Sequence, residues 1–419
     1  MLRLIHLRLI CHSVLLSGST GVATKASRKC IYIRRRKETA LIYLDNASTS
    51  WPKPESVVEA VAGYIRNIGA SPARGNCTAA LDALGVVLDC REAVASFFGS
   101  DNPLNVVFTH NVTWAINTVL HGMLQPGDRV VTSTMEHNAV TRPLADLQEG
   151  GVKVTFSPCD AYGSLDLDLF KKNIAGTKLA VINHGSNVTG VVQNVSAISD
   201  ICRESGTVFM LDVAQSAGII HVSLSQGADI IAFTGHKGLL GVPGTGGMLF
   251  ADSFDPGRIH SLAQGGTGSL SEETRHPDFL PDRFESGTMN GPGLAGLLAG
   301  IEYISSLGQE EIYRRKMQAA GALAEGIEDI KGARVYRPSP GELWTAVVSF
   351  TLKGKCTASI ADYLSREHDI CCRHGFHCAS SAHRAIGTFP GGTVRLSPGI
   401  FTTASEIEST LKAVRMASV

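Results

Sequence analysis

Val208-Phe209-Met210-Leu211-Asp212-Val213-Ala214-Gln215 and Ile230-Ile231-Ala232-Phe233-Thr234-Gly235-His236-Lys237 are two apolar runs that each end on a polar cluster. Four apolar residues in a row, without polar alternation, suit a strand whose sheet is covered by helices on both faces. Open α/β sheets bind ligands beyond the carboxyl ends of their strands. Asp212, Gln215, Thr234, His236 and Lys237 therefore fall where chemistry is expected.

The same pattern continues on both sides of these runs. Strands are predicted at Asn105–Thr109, Arg129–Thr132, Val152–Phe156, Leu179–Asn183 and Gly247–Phe250, with helices at Val112–His121 and within Ala139–Glu149. Alternating β and α units imply a layered α/β domain built on a mainly parallel sheet. Beyond Gly291 the character changes. Helices at Leu294–Ser306 and Gln309–Ile330 lead into strands at Thr345–Thr351, Ile370–Arg373 and Val394–Ser397, with helices at Thr357–Glu367 and Ala404–Met416. The expected layout is a large α/β domain over residues 41–300 and a smaller α+β domain over 301–419, with the first residues of the large part packing on the small one. Leu262–Pro281 reads as a long irregular loop, and loops of that length usually have a function.

The chain has 419 residues with 38 basic and 38 acidic side chains, a balance that gives no sign of a polyanionic partner. Ten cysteines are scattered without a C-x-x-C pair, so a disulfide framework is not expected and the compartment reads as reducing. Residues 1–40 carry nine Lys or Arg and no acid before Glu38. They read as a disordered extension, as the product of a start codon assigned too far upstream, or as an Arg-rich mitochondrial targeting segment. The expected location is cytoplasmic, or mitochondrial if that segment is a transit peptide. The apolar stretch Val14–Leu16 is too short and interrupted to span a membrane.

Lys237 closes a strand and precedes the glycine-rich run Gly241–Gly247, where an amine can form an imine with an aldehyde. Asp212, at the end of its own strand, is placed to hold a protonated pyridine nitrogen. At roughly 4 Å and an effective dielectric near 20 such a pair is worth about 4 kcal/mol before desolvation. The order of these residues resembles that of the class-V aminotransferases, and among them the cysteine desulfurases, enzymes with the fold of aspartate aminotransferase. The resemblance runs from Tyr43 to about Arg415. It passes through Tyr43–Thr49, Arg74-Gly75, Thr109–Asn117, Glu136-His137-Asn138, His184–Gly190, Glu285–Thr288, the Cys378 loop and Arg395.

That resemblance implies pyridoxal 5'-phosphate (PLP) as cofactor, joined to Lys237 as a Schiff base. It implies that His137 stacks on the ring and relays a proton, and that Gln215 donates to the ring's phenolate oxygen. Thr113, Thr234 and His236 would reach the phosphate, helped by backbone N–H groups at a helix start. Thr288 matches the position that contacts the phosphate of a neighbouring subunit, which implies a homodimer. Val112 stands where the family often has a second hydroxyl, so one side-chain contact is missing. Cys77 and Thr402 also depart from the family's usual histidine and asparagine.

The substrate end rests on Asn187, Arg395 and Cys378. A guanidinium in the strand-like run Thr393–Ser397 is costly without a partner and could bind an amino-acid carboxylate or a structural carboxylate. Cys378 lies in Arg373-His374-Gly375-Phe376-His377-Cys378-Ala379, where basic neighbours favour a thiolate. Metal binding by this Cys/His group is the weaker reading, because adjacent Cys371 and Cys372 in a strand would face opposite ways. The implied reaction converts L-cysteine to alanine. Lys237 takes the Cα proton, and Cys378 keeps the sulfur as a persulfide for an acceptor protein, in iron–sulfur cluster assembly or another pathway. Selenocysteine lyase or a transaminase is the alternative, and a catalytically silent scaffold is the reading from another class.

Overall fold

The computed structural model describes residues 41–72, 76–339 and 341–419. The extension 1–40 and the Arg74-Gly75 pair lie outside the described residues. The strands, in chain order, are β1 (Ile42–Tyr43), β2 (Val106–Thr109), β3 (Arg129–Ser133), β4 (Lys153–Ser157), β5 (Leu179–Asn183), β6 (Val208–Asp212) and β7 (Ile230–Thr234). They continue as β8 (Gly246–Phe250), β9 (Ala333–Tyr336), β10 (Val348–Leu352), β11 (Ile370–Cys371), β12 (Arg373–Gly375) and β13 (Thr393–Leu396).

Seven of them form one sheet in the order β2-β8-β7-β6-β5-β3-β4. Strands β3 to β7 are mutually parallel, and β8 runs antiparallel to β2 and β7. The apolar runs that announced these strands are divided between two cores by the two-residue period of a strand. Phe209, Leu211, Val213 and Phe233 enter one core, beneath the helices Thr78–Phe97, Val195–Ser205 and Gly291–Leu307. Val208, Met210, Ile230 and Ala232 enter the other, beneath Val112–Met123 and Asn138–Glu149. Fully burying one such side chain is worth roughly 1.5–3 kcal/mol. That burial fixes the register: Asn183 lies opposite Asp212, and Asp212 opposite Ala232. The ends of β5, β6 and β7 thus stand side by side.

The second sheet, β12-β13-β10-β9, is antiparallel. Its core takes side chains from the helices Gln309–Glu328, Thr357–His368 and Ala404–Ser418. The single strand expected over Ile370–Arg373 is two. β11 pairs in parallel with β1, and β12 pairs with β13. The break falls at Cys372, whose side chain packs into the apolar core of this sheet while its neighbours serve two different partners. The helix Thr78–Phe97 has no clear signature in the sequence. Leu81, Leu84 and Leu88 occupy its exposed face, so apolar residues appear all round it. Leu262–Pro281 is irregular, as expected. Among the described residues no helix is long and apolar enough to cross a membrane.

Candidate active site

A cavity of about 260 Å³ opens at the carboxyl ends of β5, β6 and β7, lined by Asn183, Asp212, Thr234 and Lys237 together with residues of the flanking loops. The Lys237 loop sits tightly against the turn after β6. A Cβ on Gly238 would collide with the Ala217 carbonyl, and one on Gly218 with the Gly238 carbonyl, so the close approach requires glycine at both places. The opening segment of the fold fastens the loop from the other side. The His236 carbonyl accepts from Ser50 N at 3.0 Å, Thr49 Oγ1 at 3.1 Å, Ser50 Oγ at 3.1 Å and Lys53 Nζ at 2.9 Å.

The electrostatics suit an amine that must act uncharged. Burial lowers the Lys237 pKa to about 8, with Arg395 and Arg373 acting in the same direction and Asp212 opposing them. The Asp212 carboxyl is raised by burial, while a 2.9 Å bond from Ala214 N and the charge of Lys237 pull it back. His137 caps the helix Asn138–Glu149, with Nδ1 accepting from Ala139 N at 3.0 Å. Burial, with Lys237 nearby, lowers its pKa to about 4, so the ring is neutral and its proton sits on Nε2.

The helix Val112–Met123 begins at the cavity. Asn111 caps it by accepting from Trp114 N at 3.0 Å, and the N–H groups of Val112 and Thr113 have no intrahelical partner. Val112 lines the cavity, but its side chain also belongs to the core cluster below. Gln215 donates from Nε2 to the Ala47 carbonyl at 3.0 Å. Asn187 donates from Nδ2 to the His377 carbonyl at 2.6 Å, and its carbonyl accepts from Arg395 Nη1 at 3.0 Å.

Arg395 is 2% exposed and pairs with a carboxylate of the chain itself. Its Nη2 donates to Asp45 Oδ1 and to Ser48 Oγ, both at 2.9 Å, and its Nε has no partner. Neither Asp45 nor Ser48 stood out in the sequence as a partner for this arginine. The only signal was their place in the polar run that opens the fold. Arg373 also donates to Ser48 Oγ, at 2.7 Å, and its Nη2 lies 4.0 Å from Cys378 Sγ.

Cys378 is exposed, on the rim of an open groove that shares Thr113 and His137 with the inner cavity. His377 and Cys378 both have positive φ, 49° and 60°. Two adjacent non-glycine residues in that region persist only where the surroundings impose it. Here Asn187 holds the His377 carbonyl and Asn138 N holds the Cys378 carbonyl at 2.7 Å. The basic neighbourhood expected for the thiol is smaller than the sequence suggested. His377 is buried, with Nε2 2.9 Å from Thr393 Oγ1, and burial keeps its pKa well below the ordinary value. It adds no charge, leaving Arg373 and His374 on the exposed side. Thr288 stands apart from this site. It is exposed and lines a different cavity, of about 250 Å³, with His110 and Trp114.

The sequence model of the class-V aminotransferases matches residues 42–410. The chain belongs to that family. A protein named probable cysteine desulfurase from Methanothermobacter thermautotrophicus is 34% identical over 88% of this class-V chain and 92% of its own length. Another of that name, from Pyrococcus abyssi, is 33% identical over 88% and 92%. Among solved structures, the apo cysteine desulfurase from Thermococcus onnurineus superposes with a TM-score of 0.85 at 32% identity, covering 90% of this chain and 94% of that one. The fold expected from the sequence, a mainly parallel sheet covered by helices with a smaller α+β part, is the fold these class-V proteins share.

Proposed function

We propose that this chain is a PLP-dependent cysteine desulfurase that converts L-cysteine to L-alanine and keeps the sulfur on Cys378. One observation carries the reading: Cys378 lines a groove that shares Thr113 and His137 with the cavity lined by Lys237 and Asp212. A transaminase of the same family has no use for a thiol there, and a silent scaffold has no use for Lys237 and Asp212 together in one cavity.

The residues fit the cofactor. Asn187 Oδ1 and His236 Nδ1 are buried polar atoms without a partner among the described residues, and both residues line the cavity. The unpaired N–H groups at Val112 and Thr113, with Thr234 and His236, are suited to a phosphate. Asp212 would hold the ring nitrogen, Gln215 and Asn187 the ring's oxygen, and His137 the ring face. Bound PLP would supply an aldehyde to carry the substrate amine and a cationic ring to accept the electron pair left at Cα.

The chain's own residues do the rest. Arg395 has an unpartnered Nε beside its bonds to Asp45, Ser48 and the Asn187 carbonyl, and would bind the substrate carboxylate with Asn187. Lys237 Nζ, uncharged in a large fraction of molecules near its lowered pKa, accepts the Cα proton. Sγ of Cys378 attacks the sulfur of the substrate. A sulfur–sulfur bond forms as the carbon–sulfur bond breaks, and the organic product leaves as alanine. His137 Nε2–H is available to move a proton at the same face.

The division into a large PLP-binding part over 41–300 and a small part over 301–419 is supported by the separate seven-stranded and four-stranded sheets. Thr288, exposed and away from the chain's own cavity, supports a homodimer in which it reaches the partner's phosphate. The exposed thiol suits delivery of sulfur to an acceptor protein, as iron–sulfur cluster assembly would require. Replacing Cys378 with Ala tests the reading. PLP binding should persist while sulfur release falls by orders of magnitude, and mass spectrometry of the wild type after cysteine treatment should find the extra sulfur on Cys378. Sulfide release from cysteine at nearly the normal rate in that variant would refute the persulfide route. Activity retained on selenocysteine alone would favour the lyase.

A further inference from the structure

Glu136 is a carboxyl group that the reaction above leaves unused, and it is 0% exposed. Its Oε1 accepts from Ser133 Oγ at 2.5 Å and from Asn183 N at 3.1 Å. Its Oε2 has no donor, and no ion pair among the described residues includes it. Asn183 has the matching deficit. Its Nδ2 donates to the Met135 carbonyl at 2.8 Å, and its Oδ1 is buried without a donor. Two residues joined by a hydrogen bond from the Asn183 backbone N–H to Glu136 Oε1 therefore leave two buried side-chain acceptors without a donor among the described residues, an arrangement native structures avoid. A single proton resolves it, because a neutral acid donates where a carboxylate only accepts. An isolated buried carboxylate is also far more costly than its neutral form.

The position gives this proton a consequence. Asn183 ends β5 directly opposite Asp212, which ends β6. A second negative charge at that place would raise the Asp212 carboxyl and weaken its hold on a cation. We propose that Glu136 is a positioning residue held as a neutral carboxylic acid, its Oε2 proton donated to Asn183 Oδ1, so that it braces the end of β5 without adding a charge beside Asp212. The last clause rests on the reading of Asp212 given above. Burial raises the Glu136 pKa to about 8, opposed by the Ser133 and Asn183 bonds and reinforced by Asp212. The other groups nearby agree. Burial holds Cys159 up at about 11 and His137 down at about 4, so neither supplies a charge that would stabilise a carboxylate. The charge of Lys237 acts on Asp212, whose carboxyl it lowers.

Infrared difference spectra of the full-length enzyme, with and without carboxyl-labelled glutamate, test the proposal at neutral pH. A protonated-carboxyl stretch should shift with the label and be missing from Glu136→Gln. Glu285, bonded by Arg91 through both oxygens, should give carboxylate bands. A label-sensitive spectrum with carboxylate bands alone overturns the proposal, and that measurement needs no variant. Glu136→Gln keeps a neutral donor, so below pH 8 the optical pH titration of bound PLP should follow that of wild type, with turnover at neutral pH within ~3-fold. A shifted titration would mean that a charge had been removed, and overturns it. The infrared band does not depend on what Asp212 does. A protonated band together with a fully active Asp212→Asn variant would sustain the proton on Glu136 and overturn the Asp212 reading alone.

Discussion

The side-chain amide of Asn187 lies 2.6 Å from the carbonyl of His377 and holds the residue before Cys378 in a left-handed conformation. The same side chain has its Oδ1 free in the cavity wall, and its backbone carbonyl is held by Arg395. One residue thus touches the cavity wall, Arg395 and the loop of Cys378.

Asn187→Ala should therefore damage more than ring binding. With the His377 carbonyl released, two strained residues can relax and Cys378 moves from its place. Turnover should fall by about 10²-fold, with reduced PLP retention and a changed alkylation rate at Cys378. A variant that loses PLP affinity but keeps the wild-type alkylation rate would show that the loop is held by other means.

Lys237→Ala should abolish turnover and covalent retention of PLP. Borohydride treatment followed by peptide mapping checks it, because the wild type should carry the label on Lys237 and the variant on no lysine. A labelled second lysine, Lys53 being the nearest candidate in the loop contacts described, would shift the role there.

Asp212→Asn should keep the fold, since the side chain can still accept from Ala214 N, and should lose most activity because no charge holds the ring nitrogen protonated. An interaction of about 4 kcal/mol corresponds to roughly a thousandfold. Steady-state kinetics within a few-fold of wild type would rule out this role.

Thr288→Ala should weaken PLP retention in a dimer although Thr288 is remote from its own chain's cavity. Sedimentation and mixed-dimer reconstitution check it. Dimers of Thr288→Ala with Lys237→Ala subunits should regain normal retention at only one of the two sites. An active monomer at micromolar concentration would contradict the homodimer.

The buried acid predicts a pH signature in stability. The Glu136 carboxyl is raised on folding from an ordinary 4.5 to about 8, so between those values the folded state holds a proton that the unfolded state has lost. Stability from this group is full below pH 4.5 and declines as pH rises, by at most about 1.4 kcal/mol per unit. Glu136→Gln lacks this decline. Its midpoint of thermal unfolding should rise relative to wild type as pH goes from 4.5 to 8, and then level off. A parallel pair of curves would mean that Glu136 titrates normally.

Much of the fold was legible because burial on both faces writes a strand as an unbroken apolar run. Leu179–Asn183 and Val208–Asp212 are bounded in the structure as they are in the sequence. Lys237 and Asp212 were legible for the same reason, as polar residues that end such runs. What holds Arg395 was not, because its partners Asp45 and Ser48 lie at the opposite end of the chain and nothing local marks a pairing made only in three dimensions. Glu136 was quoted as part of a motif and not singled out, since its neutrality depends on surroundings that sequence does not display. The charge assigned to His377 failed on the same ground: a histidine near a cysteine looks basic until its burial is known.

The pairing of Asp45 with Arg395 joins residues 350 positions apart. A chain that emerges from the ribosome at ≈ 5–20 residues per second makes Asp45 early and then waits on the order of a minute or less for the arginine it will hold. Until β11 is made β1 has no strand to join, and the Lys237 loop, once made, already has its clamp while Arg395 does not yet exist. The site is therefore completed only once Arg395 is made, and a nascent chain halted before it has the Lys237 loop in its clamp but no guanidinium for Asp45 to hold.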